Sequence, residues 1–126
     1  MEIARKVLMG LAWLYVLGVV VQVFLAGYPL LGGGSSFDAH VGFGWSALHL
    51  SPVLLLIAAF IGKVPQRLLM VIGLFVVVAF LQPIWVSAFR GEILGSLHVV
   101  GALVVFTLAH YIAQQSTRLV KGTARV

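Results

Sequence analysis

AHVGFGWSALHLSPVLLLIAAFIG, residues 39–62, decides how this chain folds. It holds no Asp, Glu, Lys or Arg, and it exceeds the about 20 apolar residues a helix needs to cross the hydrocarbon of a bilayer. Working outward, three more stretches read the same way: Val7 to Gly27, Leu68 to Phe89 and Ile93 to Ala113. The four nearly exhaust the 126 residues, of which 62% are hydrophobic. The expected fold is all-α, an up-down bundle of four transmembrane helices forming one domain over residues 1–126.

Placement of charge sets the expected topology. The chain has eight Lys and Arg against three Asp and Glu, a balance that by itself suggests a membrane surface or nucleic acid. Arg5 and Lys6 precede the first span, Lys63 and Arg67 lie between the second and third, and Arg118, Lys121 and Arg125 follow the fourth. In an even-numbered bundle these places share one side. Arg90, Asp38 and Glu92 fall on the other, so the positive-inside rule predicts cytoplasmic termini. No basic patch alternates with stacking aromatics outside the spans, which argues against nucleic acid. Arg5 and Lys6 before an apolar run also begin a signal peptide, but the run outlasts a typical h-region of about 7 to 15 residues and Phe24 before Ala26 makes a poor cleavage site. A retained first helix is expected.

Tyr28 to Phe37, with Pro29, Gly32 to Gly34, Ser35 and Ser36, reads as an outer turn region. Asp38 stands where an N-cap is expected, with Ser36 the other candidate. Gly62 and Pro65 close the second span, and Gln82 and Pro83 imply a local kink in the third. A weak internal repeat pairs Gln22 and His40 with Gln82 and His98, relating the two halves by an axis along the membrane normal.

Ionisable residues within spans are costly and are usually retained for function. At a helical rise of about 1.5 Å per residue, His40 lies roughly 3 Å and His98 roughly 6 to 8 Å from the outer end of its span. The second and fourth helices are diagonal in an up-down bundle, so the two imidazoles can meet in the central space. There they are candidate axial ligands for one haem iron. Gly44 follows His40 by four residues and Gly101 follows His98 by three, leaving room on the histidine's own face for a porphyrin edge. Arg90 is a candidate partner for haem propionates, and Trp45, Trp85 and Phe43 for pocket walls.

Three other readings stand beside this one. In the first, the imidazoles are neutral and hydrogen-bonded to Gln22, Gln82 or backbone, serving as interhelical glue in an accessory subunit of a larger complex. The same layer could take a quinone or other small molecule. A metal without a porphyrin would need three or four ligands, which His40, His98 and Asp38 approach. His49 projects from nearly the opposite face of its helix to His40, and His110 lies near the other membrane surface. They form a second bis-histidine pair only with tilt or a bend, which Pro52 would supply. Gly91 and Gly95 form a GxxxG of low specificity. Hydrolysis lacks support, because Glu2, Asp38 and Glu92 are the only carboxylates. The absence of cysteine removes disulfides, thiolate ligation and covalent CxxCH haem attachment.

The run FLAGYPLLGGGSSFDAHVGFGW, with LHVVG in the fourth span, resembles a family of small uncharacterised bacterial four-helix membrane proteins. The family pattern matches Asp38, His40 and Gly44, and Leu97, His98 and Gly101, with the last glycine one position closer to its histidine here. The resemblance implies fold and topology and no established activity. The architecture is also similar to that of four-helix b-type membrane cytochromes, which commonly hold two histidine pairs, of which only the outer is matched well. Taken together, the residues predict a small b-type haem protein that carries an electron or senses redox state, rather than a catalyst. Its expected partners are lipid, a membrane redox protein or larger complex, and other copies of itself.

Overall fold

A computed structural model describes residues 1–32, 34 and 36–122. Five α-helices are present, α1 (Glu2–Leu30), α2 (Asp38–Phe43), α3 (Ser51–Gly62), α4 (Gln66–Ala88) and α5 (Leu97–Val120). A π-helical turn, Gly44–Leu48, links α2 to α3, and a 3-10 turn, Ile93–Ser96, leads into α5. They make four spans long and apolar enough to cross a membrane, Glu2–Leu30, Asp38–Gly62, Gln66–Ala88 and Ile93–Val120. No strand occurs among the described residues.

The helices form a ring in chain order. α1 packs on α3 and α5, and α4 packs on α3 and α5, so the first and third spans lie on one diagonal and the second and fourth on the other. Buried residues repeat at spacings of three and four: Leu8, Ala12, Tyr15 and Val19 on α1, Leu68, Ile72, Phe75 and Ala79 on α4, Val105, Ala109, Ile112 and Ser116 on α5. That spacing keeps one face of each helix on its neighbours along the whole seam. Leu55, Ala58 and Ala59 complete the core from α3. Tyr15 and Phe75 meet edge to face across the first diagonal, ring centres 4.9 Å apart.

Helix ends depart from the sequence reading for identifiable reasons. α1 runs through Pro29 to Leu30, where a turn region was expected. A proline loses its own amide hydrogen bond and crowds the carbonyl four residues back, yet the Leu31 N–H beyond it still reaches the Gly27 carbonyl at 3.0 Å. The reversal is left to Gly32, whose φ of +91° favours glycine. Asp38 is the first residue of α2 and its carboxylate caps nothing; the Asp38 N–H donates to the Ser36 hydroxyl at 3.0 Å. Ser36 is thus the residue that satisfies the helix start. α5 continues past Ala113 to Val120 because its polar residues bond inward. Ser116 and Thr117 donate to the Ile112 and Ala113 carbonyls, and Trp13 Nε1 donates to Thr117 Oγ1 at 3.0 Å.

At the end of the bundle that carries the termini, Lys63 takes a left-handed conformation after α3. Arg5 Nε donates to the Gly62 carbonyl at 2.8 Å and Arg5 Nη2 to that of Lys63 at 3.2 Å. A cation thereby satisfies the carbonyls a helix leaves free at its C-terminus.

Candidate functional site

The histidine pair sits on the second diagonal, at the end of the bundle away from the termini. His40 is the third residue of α2 and His98 the second of α5, so each stands close to where its helix begins and points across the ring of spans. Their ring centres are 6.3 Å apart and their planes nearly perpendicular, at 83°. Both residues are half-buried. Phe37 closes one side of His40, ring centres 6.3 Å apart.

Gln22 of α1 grips His40 from the neighbouring span. His40 Nδ1 lies 3.0 Å from the Gln22 main-chain carbonyl. A carbonyl only accepts, so Nδ1 carries the proton and Nε2 the lone pair. The Gln22 amide nitrogen donates to the His40 carbonyl at 2.9 Å and lies 3.3 Å from Nε2. Gln82 of α4 stands in the same relation to His98 in the chain, and its main chain lies close to that ring. Here, however, the tie to the Gln82 backbone is looser, and His98 Nδ1 lies outside ordinary hydrogen-bond geometry.

Gly44 and Gly101 do face this layer, and each is met by a glutamine. A Cβ built on Gly44 would stand 2.8 Å from the Gln22 amide nitrogen; one on Gly101 would press on the amide of Gln82. The room beside each histidine is therefore a notch holding the end of a flexible side chain. Gln22 Oε1 and Gln82 Oε1 are buried without a hydrogen-bond partner. Unpaired buried polar atoms are few in folded proteins, and these two flank this one pair.

The other sequence candidates are distributed around the layer. Trp45 is exposed and lies against His49, ring centres 4.5 Å apart, so it faces outward instead of walling the pair. His49 is sandwiched between Trp45 and Phe80 of α4, 4.2 Å away on that side. His110 of α5 stands 5.7 Å from the Trp13 ring, stacks on Phe106 and has Gln114 Nε2 3.4 Å from its Nε2. The two engage different helices and different aromatics. The irregularity in the second span is the π turn before α3, and Pro52 occupies the first turn of α3, where a missing N–H costs nothing. Trp85 donates from Nε1 to the Leu94 carbonyl at 2.8 Å, pinning the 3-10 turn onto α4. Phe43 is turned toward Gly18 of α1. Arg90 is exposed in the turn after α4, beside Gly91 at φ +83°.

Two further expectations are corrected. Among the described residues no three of His, Asp and Glu come together as a metal site, so Asp38 does not join His40 and His98. Asp38 is held at the exposed helix start by its own backbone, with its side chain outside the ring. The Gly91–Gly95 pair is not a helix-packing face. Gly91 turns the chain, and a Cβ on Gly95 would stand 2.6 Å from the Phe89 carbonyl, so both glycines serve the turn.

The π turn was not anticipated, although Gly42 and Gly44 flanking Phe43 were a signal for irregular helix. It lets Leu48 close on Gly18, where a Cβ would stand 2.8 Å from Leu48 Cδ2. Such turns occur often at functional sites. A shallow apolar groove lined by Phe24, Gly27, Tyr28 and Leu31 opens at the same end and touches neither histidine.

The arrangement defines a small multi-helix protein with a polar layer held between facing spans. Residues 22–89, just over half the chain, match the family of unknown function DUF6220, and the chain belongs to that family. The match takes in Gln22, His40, Gly44 and Gln82 and ends before α5, which carries His98 and Gly101. No curated protein and no solved structure matches the chain.

Proposed function

We propose that this protein is a small integral membrane b-type haem protein in which His40 and His98 hold one iron from opposite sides. The observation that carries the reading is the 6.3 Å between ring centres on facing spans. A metal–imidazole bond of about 2.0–2.1 Å puts each ring centre roughly 3 Å from the metal, hence about 6 Å between two rings sharing it. His40 is prepared for this by its Nδ1–H, which fixes Nε2 as the donor atom. The notches at Gly44 and Gly101 suit a flat macrocycle once the Gln22 and Gln82 amides turn aside. Exposed Arg90, at the same end, is the candidate for propionate groups.

When bound, the haem would supply one-electron exchange; the chain supplies two nitrogen donors held on facing spans. Arg5, Lys6, Lys63, Arg67, Arg118 and Lys121 cluster toward the termini, opposite Asp38, Arg90 and Glu92. The positive-inside rule therefore supports cytoplasmic termini in a bacterial inner membrane, with the site near the outer leaflet. Exchange with a quinone or an outer-side redox protein fits a single haem at that depth.

A second reading rests on the bonds of Gln22 to His40. They are those of interhelical glue, and by themselves they suit an accessory subunit of a larger complex. Absorption spectra of the gently solubilised protein, oxidised and dithionite-reduced, with a pyridine haemochrome assay, separate the two. Sharp reduced bands at one haem per chain support the haem protein. A folded protein that stays colourless after haem reconstitution supports the accessory subunit.

A further inference from the structure

The outer surface of the bundle is apolar on three spans and polar on the fourth. The exposed positions of α1 from Val7 to Phe24, of α3 from Val53 to Ile61 and of α4 from Met70 to Ile84 carry no hydrogen-bonding side chain except Trp13, whose N–H is given to Thr117. α5 differs. Among its exposed residues, Val100, Val104, Thr107, Tyr111 and Gln114 recur at alternating spacings of four and three, the seam by which two parallel helices pack. This row lies opposite the buried one of Val105, Ala109, Ile112 and Ser116. The fourth span is also the least covered, with 11% of its apolar stretch buried inside the bundle against 17% to 28% in the other three. Thr107 returns its hydroxyl to the Leu103 carbonyl at 2.8 Å, whereas Gln114 is left short. Among the described residues its side chain meets only His110, with 3.4 Å between the two Nε2 atoms. It stands about 9 Å along the helix from Val120, inside the level of the terminal cations. A primary amide both donates and accepts and is therefore complementary to its own copy, and such a group facing lipid draws helices together.

We infer that the exposed face of α5 pairs this protein with a second copy of itself, about a twofold axis along the membrane normal that brings Val104, Thr107 and Tyr111 onto their own counterparts and Gln114 into amide–amide hydrogen bonds. Both copies insert the same way, so their α5 helices run parallel and each residue of the seam meets itself. The alternating spacing gives the shallow left-handed crossing usual in membranes, and one polar pair on an otherwise apolar seam fixes its register. The pairing ends at Gln114. Arg118, the next exposed position, lies at the headgroup level, where water and salt screen it from its copy. The inference is independent of the haem reading, because His40 and His98 meet inside the ring of spans in the other half of the bundle.

The chain has no cysteine, so single cysteines report contacts without background. Full-length protein carrying Val104→Cys or Thr107→Cys, oxidised in membranes of the expressing cell, is expected to form disulfide dimers of itself. Val77→Cys on α4 and Ile57→Cys on α3 are expected to stay monomeric. All four positions are exposed, so the substitutions leave the packed seams untouched. Energy transfer between copies labelled at the C-terminus, followed in vesicles as protein is diluted with lipid, is expected to show a dimer that Gln114→Leu weakens by about three- to tenfold. Gln114→Asn, which keeps the amide, should weaken it less. Cross-links that form equally from the α3 and α4 cysteines, or energy transfer no greater than random mixing at every dilution, overturn the inference. So does a dimer that Gln114→Leu leaves unchanged, and so does capture of a different membrane protein by the α5 cysteines in place of a second copy.

Discussion

Along its axis the bundle has two halves built on different terms. Toward the termini, α1 buries Leu8 to Val19, α3 Leu55 to Gly62, α4 Leu68 to Ala79 and α5 Val105 to Ser116. In the other half, no described residue of α2, of the π turn, or of positions 20–30 and 80–104 is fully buried. That half holds the two histidines, the two glutamines and the unpaired Oε1 atoms of Gln22 and Gln82. Lipid is as apolar as leucine, so helices in a bilayer associate through close packing and interhelical hydrogen bonds. The packed half uses the first; the polar half has the groups for the second and satisfies only part of them. One half joins the spans, and the other holds the polar groups that the proposed haem would engage.

Substitutions that sharpen this contrast should act in one half only. The largest effect is expected from Phe75→Ala, which empties a fully buried site and removes the edge-to-face contact with Tyr15. A loss of about 3 kcal/mol is expected in denaturant titrations in mixed micelles, with haem binding per folded chain unchanged. A loss under about 1 kcal/mol would mean that the apolar seam is not what joins the spans. Gly101→Ala should do the reverse. Its methyl group meets only the movable Gln82 amide, so stability should change by less than about 1 kcal/mol. The notch needed by a flat ligand is nevertheless filled, and haem affinity measured by titration should fall several-fold. Unchanged affinity would remove Gly101 from the site. The smallest effect belongs to Gly73→Ala, where nothing lies within 4 Å of the added carbon. It should be neutral or stabilising by about 0.5–1 kcal/mol in the same titration, with no change in haem. Any destabilisation there would indicate a partner helix on that face.

The spans were legible because length and apolarity alone settle them, and the His40–His98 approach was legible because diagonal placement follows from an up-down order. Helix ends were less so. Ser36 and Asp38 are equally good capping residues by type, and only the main-chain geometry assigns the hydrogen bond to Ser36. α5 outran Ala113 because Ser116 and Thr117 can return their hydroxyls to the helix, a choice invisible in a hydropathy reading. Rotation about each helix was legible only in part: Gly44 and Gly101 were placed on the right face, whereas Trp45 faces outward. The insertion of Gln22 and Gln82 into those glycine notches could not be read, since it depends on which neighbour supplies the long side chain.

The most direct test of the central claim is to count haem in wild-type protein supplied with haemin and to record the ferric electron paramagnetic resonance of the same sample. One haem per chain is predicted, with the strongly anisotropic low-spin signal of two imidazoles whose planes stand nearly perpendicular, as they do at 83° here. A folded, monodisperse protein that takes up no haem, or one whose signal is high-spin and unaffected by H40A and H98A, would contradict it.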